Sequence, residues 1–351
     1  MILLAGRLYL LDELVYFYPI GHEAHQEDGH PERPQRVETI RRALHVAGCW
    51  EVFPQLQPLE VSEELLGQVH DPGYLARLIS ACRHGDHLDM DTYTTQYSWK
   101  LALGAAGGAM AVAEAVWQGR AKRGFALTRP PGHHATRQRG MGFCLLNNIA
   151  LACEYLIRDR GARRLAIVDL DLHHGNGTQD IFFAREDVYY VSTHQSPLYP
   201  GTGGIEETGL GPGDGKTANF PLPPGSGDEA FRTITNEIIL RLFDRFHPEM
   251  ILVSFGFDPH WRDPLGHLML TAQGYTDVLS SLVGWADGNC QGRIAYFLEG
   301  GYDLEAAAAC GLAAVASLLG TPFKDPLGPP PHPEGRSWEI ILRQARHIWG
   351  L

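Results

Sequence analysis

The chain has 351 residues, 44% hydrophobic and 20% charged, with a formal net charge of -12. That length suits one large α/β domain or two smaller ones, and the balance is that of an ordinary globular chain, which excludes disorder as the main state. The negative charge argues against general affinity for nucleic acid or an anionic membrane, and is compatible with a cationic substrate.

Residues 1–19, MILLAGRLYLLDELVYFYP, are apolar but interrupted by Arg7, Asp12 and Glu13. Without a basic leader or a small-residue cleavage site, they predict a strand-rich start and not a signal peptide. No apolar run is long enough to span a bilayer. Six cysteines are scattered (Cys49, Cys82, Cys144, Cys153, Cys290 and Cys310), none in C-x-x-C spacing. They read as reduced, mostly buried thiols and point to the cytoplasm.

Further along, apolar β-rich runs alternate with helical patterns. A helix is predicted near 98–117, a strand at 124–128, a helix at 144–160, strands at 165–169 and 188–193, and a helix at 228–246. A strand at 250–255, a helix at 271–286, a strand at 294–298 and a helix at 303–319 follow. Continuous apolar runs suit strands buried on both faces of a parallel sheet. The alternation predicts an α/β three-layer sandwich with a central parallel sheet. With no repeat and no mid-chain linker, residues 1–351 read as a single domain. A proline-rich connector at 321–335 leads to a last helix at about 336–348. The stretch 194–227 is dense in Gly and Pro and reads as one long loop, which in a compact domain is usually functional. Within it, GPGDGKT imitates a phosphate-binding loop. The glycine spacing is wrong, and the following ANFPLPP cannot begin a helix, so nucleotide binding there is rejected.

Four clusters of reactive side chains follow predicted strands. The first is DLDLHHGNG at 169–177. If the strand continues, Asp169, Asp171 and His173 share a face, with Asp171 and His173 about 7 Å apart at Cα. Carboxylate oxygen plus imidazole nitrogen suits Zn²⁺ or a similar divalent ion; the alternative is a solvated strand-end turn. In the second, RPPGHHATRQRGMGF, His133 and His134 could act as general base and electrostatic partner. In the third, SFGFDPHWRDPLGH, Asp258 could be a further ligand, while His260 and Asp263 read as solvent-facing loop residues. In the fourth, LEGGYDL, two glycines allow a tight turn that presents Tyr302. All four should converge on one edge of the sheet.

Taken together, these pieces resemble the zinc-dependent histone deacetylase superfamily, including the bacterial class II-like amidohydrolases and acetylpolyamine amidohydrolases. The matching segments are HPERPQR (30–36), RPPGHHA (129–135), GFCLLNN (142–148), DLDLHHGNGT (169–178), YPGTG (199–203), FGFD (255–258), DPLG (263–266) and EGGY (299–302). The resemblance implies the arginase/deacetylase fold, with Asp171, His173 and Asp258 binding one catalytic Zn²⁺. It implies His134 as general base, His133 as its electrostatic partner and possible acid, and Tyr302 as donor to the amide oxygen. Asp169 and Asn176 would back His133 and His134. Gly142, Phe143, Tyr199 and Leu265 would line a narrow channel, with Asp91 (or Asp89) at its rim. Arg36 would lie in an internal pocket near the acetate product. Asp169, Ser192 and Thr193 would hold a structural K⁺ or Na⁺.

The implied reaction is metal-dependent hydrolysis of N-acetyl amides on long amines. Nε-acetyl-lysine in proteins or peptides is the first substrate class and acetylated polyamine the second. Leu265 stands where some polyamine-selective relatives carry glutamate, which favours acetyl-lysine. No nucleic-acid or membrane partner is expected, and no oligomeric state is read. A binuclear manganese ureohydrolase would need further aspartates in 133–137, which read HHATR. A catalytically silent acetyl-lysine reader should lack a ligand or the tyrosine, and none is missing.

Overall fold

The computed structural model describes residues 2–4, 7–10 and 12–351; Met1, Ala5, Gly6 and Leu11 of the strand-rich start lie outside them. Strands β1 (Ile2–Leu4) and β2 (Arg7–Tyr9) pair antiparallel, and β3 (Leu14–Phe17) enters the main sheet. Then come α1 (Gln35–Val46), β4 (Gln55–Leu56), α2 (Glu63–Val69), α3 (Pro72–His84), α4 (Ser98–Trp117) and β5 (Arg123–Ala126). The middle of the chain forms α5 (Asn148–Arg160), β6 (Leu165–Asp169), α6 (Asn176–Phe182), β7 (Val188–Gln195) and β8 (Thr217–Leu222). The remainder is α7 (Asp228–Ile234), α8 (Leu240–Phe246), β9 (Met250–Phe255), α9 (Ala272–Asn289), β10 (Ile294–Leu298), α10 (Leu304–Leu319) and α11 (Glu339–Trp349).

Eight strands form one sheet in the order β4-β3-β5-β10-β9-β6-β7-β8, every neighbouring pair parallel. Alternation along each strand feeds both faces. In β6, Leu165 and Ile167 enter an apolar core shared with α2 to α5, while Ala166 and Val168 enter the core shared with α1 and α7 to α11. This is the expected three-layer α/β sandwich. No helix among the described residues is long and apolar enough to cross a membrane.

Several local expectations change. The strand at 165–169 stops at Asp169. The extended path is nevertheless carried on by the amides of Leu170, bonded to Ser254 O at 3.0 Å, and Leu172, bonded to Asp258 Oδ1 at 3.0 Å. The stretch 194–227 is not one loop: β7 runs to Gln195 and β8 occupies 217–222. Pro221 is tolerated there because β8 is an edge strand. Lys216 leads into that strand and not into a helix, so the rejection of a phosphate-binding loop stands. The predicted 144–160 helix begins at Asn148, with Asn147 accepting from the Ala150 amide as its cap. The 228–246 helix contains a π segment at Thr235–Ile239. In the connector, Glu334 accepts from the amides of Gly227, Glu229 and Ala230 at 2.7–2.9 Å, placing a carboxylate on the start of α7.

The strands that precede the four reactive clusters, β5, β10, β9 and β6, are immediate neighbours in the sheet. Their C-terminal ends therefore lie side by side, and the loops that follow them must meet.

Candidate metal centre and active site

The loops after β6 and β9 bring together Asp171, His173 and Asp258, whose ligand atoms all lie within 4.8 Å of one another. His173 Nδ1 is 3.3 Å from Asp171 Oδ1 and 3.2 Å from Asp258 Oδ2. Both aspartates are buried, and Asp258 Oδ2 has no hydrogen-bond partner. Two buried carboxylates converging on one imidazole nitrogen are costly unless a positive charge sits among them. The titration behaviour expresses the same demand. Burial and then Asp171 push the Asp258 carboxyl up to about 6. Burial would also raise Asp171, but His133 and the bonds from His173 outweigh it and hold that carboxyl well below its usual range. Burial would lower His173, yet its bond to Asp171 and the nearby Asp258 carboxylate lift it to about 9. An oxygen–nitrogen–oxygen donor set with an orphaned carboxylate oxygen fits a divalent ion such as Zn²⁺.

The backbone around these carboxylates admits no side chain. A Cβ on Gly300 would lie 2.4 Å from Asp258 Oδ2 and 2.6 Å from Asp171 Oδ2, and the Gly300 amide donates to Asp171 Oδ2 at 2.8 Å.

His133 and His134 come from the loop after β5, with ring centroids 4.0 Å apart. His133 Nδ1 lies 3.1 Å from Asp169 Oδ2, and its Nε2 lies 3.7 Å from Asp171 Oδ1. Burial opposes its charged form, but Asp171 and Asp169 win and raise it well above the ordinary histidine value. His134 Nδ1 lies 2.7 Å from Asn176 Oδ1. Burial, and then positive charge on His133 and His173, push His134 well below the ordinary value. The two imidazoles are thus pushed in opposite directions, a separation that suits an acid and a base.

Tyr302 follows Gly301 in the loop after β10 and faces Phe143 edge-on, with ring centroids 5.7 Å apart. Its amide donates to Asp263 Oδ2 at 2.6 Å. Asp263 and His260 are both buried and not solvent-facing as expected. The reason is long-range: the loop after β9 folds back under the Tyr302 loop, and Asp263 also accepts from the Leu265 amide at 3.0 Å. Arg36, from α1, is fully buried, with Cζ 5.0 Å from the Tyr302 ring centroid. It donates to the carbonyls of Gly301 and Glu299 and pairs with Glu32 at 3.0 Å.

A cavity of about 410 Å³ opens above the Asp171–His173–Asp258 cluster, lined by His134, His173, Tyr302, Gly142, Phe143, Tyr199, Leu265 and Asp91, together with His30, Pro31 and Leu198. Every expected channel residue is therefore on its wall. Phe143 has φ 69°, an unusual conformation for a non-glycine residue, held by its amide on Thr92 Oγ1 at 3.1 Å. Asp91 is exposed at the rim, and its carboxyl is pushed up by partial desolvation there and by the neighbouring charge of Asp89. The expected monovalent-ion residues adjoin at β6 and β7. Thr193 Oγ1 donates to Asp169 O at 3.4 Å, while Ser192 Oγ pairs with His194 Nδ1 at 2.9 Å.

Sequence reasoning missed three supports. Glu299 accepts from the amides of Gly132 and His133 at 2.7 and 3.1 Å. Glu32 ties Arg36 to Arg129, with Arg129 Nε 2.7 Å away. His70 braces the histidine loop, with Nδ1 2.9 Å from Thr136 O and Nε2 accepting from the Asn147 amide at 3.0 Å. Glu299 was signalled by its place at a strand end beside two glycines. His70 has no local signal, because its partners lie far along the chain.

A sequence model described as the histone deacetylase domain matches residues 30–318. The chain belongs to the histone deacetylase family. Among family members similar to it, a probable deacetylase of Archaeoglobus fulgidus is 42% identical over 86% of this chain and 84% of its own length. A histone deacetylase-like amidohydrolase of Pseudomonas aeruginosa is 35% identical over 85% of this chain and 80% of its own. The crystal structure of the HDA15 HD domain matches with a TM-score of 0.87 at 32% identity, covering 95% of this chain and 94% of that chain.

Proposed function

We propose that this chain is a single-domain, zinc-dependent deacetylase that hydrolyses N-acetyl amides on long amines, with Nε-acetyl-lysine in proteins or peptides as its substrate. The observation that carries this reading is the meeting of Asp171, His173 and Asp258 with two adjacent histidines, pushed in opposite directions by their surroundings, at the base of one cavity. The names of the relatives, deacetylases and an amidohydrolase, support the reaction class. Six unpaired cysteines, five of them buried, support a reducing, cytoplasmic setting.

Asp171, Asp258 and His173 would hold the ion, which when bound would supply polarisation of the amide carbonyl and acidification of the attacking water. The protein groups do the rest. Neutral His134, with Nδ1 directed at Asn176, takes the proton of that water through Nε2. Charged His133, held by Asp169 and Asp171, stabilises the developing negative charge and can protonate the leaving amine. The Tyr302 hydroxyl donates to the carbonyl oxygen as it becomes an oxyanion. Apolar walls at Phe143, Tyr199 and Leu265 fit a methylene chain, Asp91 steadies the substrate at the rim, and Arg36 faces the acetate side. Asp169, Ser192 and Thr193 would hold K⁺ or Na⁺ behind the site.

Acetylated polyamine is the second substrate reading, supported by the exposed Asp91 at the rim. The test is kcat/KM of the zinc-loaded protein on an acetyl-lysine peptide and on acetylspermidine. The peptide is expected to win; a clear polyamine preference would overturn the lysine assignment. Tyr302→Phe should lower kcat by about 100-fold or more with little change in KM. Full activity in that variant would remove the tyrosine from the chemistry. An acetyl-lysine reader is the non-enzyme alternative; it predicts binding of the peptide without turnover in the metal-loaded protein.

A further inference from the structure

The opposite edge of the sheet carries a second cavity, of about 570 Å³, which the deacetylase reading does not use. Its rim and floor come from the N-terminal ends of β6, β7 and β8 together with α8 and α11. β7 spans eight residues, roughly 26 Å, between this end and the catalytic end. In a chain of net charge -12, four cations gather here: Arg163, Arg164, Lys216 and Arg245. The carboxylates in the lining are Glu186 and Asp187, and Asp187 is taken by Arg185 in a two-pronged pair at 2.7 and 2.8 Å; beside it, Glu249 accepts from the backbone amides of Arg163 and Arg164 at 2.7 and 3.1 Å. Arg164 and Arg245 are steadied by carbonyls: Arg164 Nε reaches His247 O at 2.9 Å, and Arg245 reaches Trp349 O at 2.6 Å. Lys216 Nζ has no carboxylate partner among the described residues and lies 5.9 Å from the Phe246 ring centroid. The apolar part of the lining is Pro212, Leu242 and three aromatic rings, of which Tyr189 and Phe246 are largely buried. The Tyr189 ring stands 5.3 Å from that of Phe246 and 6.4 Å from that of Trp349, and its buried hydroxyl has no hydrogen-bond partner.

Unneutralised cations beside a cluster of three rings call for a ligand with one anionic end and one flat end, and the volume is in the range of small-molecule sites. We infer that this cavity is a second ligand site, remote from the metal centre, for a phosphorylated planar compound of the nucleoside monophosphate class. The lysine of the false phosphate-binding loop contributes to it, as a strand-edge side chain and not through a glycine cradle at a helix start. The proposal stands independently of the deacetylase reading.

The test is calorimetric titration of the full, zinc-loaded chain with AMP, adenosine and inorganic phosphate, the catalytic cavity being filled with a zinc-binding hydroxamate. AMP is expected to bind one to one, with adenosine and phosphate each at least about tenfold weaker, because each keeps only one of the two contact types. Lys216→Ala should weaken AMP by about tenfold while leaving turnover of an acetyl-lysine peptide unchanged. Absence of AMP binding would overturn the site. Unchanged binding in Lys216→Ala, or phosphate binding as tightly as AMP, would do the same. Binding seen only without the hydroxamate would place AMP at the metal centre and also refute the inference.

Discussion

The two adjacent histidines differ in what stands behind them. His133 has a carboxylate, Asp169, and His134 has an amide, Asn176. A carboxylate favours the charged imidazole and an amide does so far less, so this difference adds to burial and to the neighbouring charges in favouring a neutral His134, the proposed base. Asn176→Asp should therefore raise the His134 pKa. Since the base works only when unprotonated, the acid limb of kcat/KM should move to higher pH. A pH–rate profile checks this, and an acid limb that stays put or moves lower would contradict the pairing. The asymmetry was legible in the motif as DLDLHHGNG. The direction of the His134 shift was not, because it depends on burial and on charges at His133 and His173 that only the packed loops bring near.

At the scale of elements, the loop after β10 packs its backbone directly against the site's carboxylates. Gly300 presents its amide to Asp171 at 2.8 Å, where a Cβ would strike both ligand carboxylates. Gly300→Ala must push the loop away from Asp171. Zinc affinity should fall about 10- to 100-fold, the range expected when a bond behind a metal ligand is lost. Competition against a chelator measures it, and wild-type affinity would show that the loop yields at no cost to the ligands. The glycine pair was visible in LEGGYDL, but read only as a turn. What it turns around is supplied by β6 and β9, on either side of which no local pattern reports. The same limit hid β8, whose Gly- and Pro-rich approach masks a strand that is recognisable only by its parallel pairing with β7.

Across the whole molecule, several histidines are buried in neutral form. Burial lowers His70 to about 4, His260 to about 4 and His25 to about 3, against about 6.5 in an unfolded chain. Between those values the unfolded state binds more protons than the folded one, so stability is complete above pH 6.5 and is lost as pH falls toward 4. His70 alone accounts for up to about 3 kcal/mol over that window. Thermal melts from pH 7 to 4.5 should show the decline, and His70→Gln should flatten it; an unchanged slope would mean that His70 is not held neutral. Removing the metal acts on the same balance from the other end of the fold. Zinc at a hundred times its Kd would add about 2.7 kcal/mol of stability. Chelation should lower Tm and abolish turnover, and zinc should restore both. A Tm indifferent to chelation would argue against an ion among Asp171, His173 and Asp258.

Local sequence determined the layers, since runs such as LAIVD and MILVSF can be buried only between two helical faces. It also determined the residue types of the proposed metal centre, by placing carboxylates and imidazoles at the ends of apolar strands. Tertiary structure alone decided that β5, β10, β9 and β6 stand side by side, that Asp263 and His260 are buried, and that Lys216 joins three arginines on the far edge. Each of these depends on contacts between residues distant in the chain, and strand order and burial are properties of packing that no local spacing encodes.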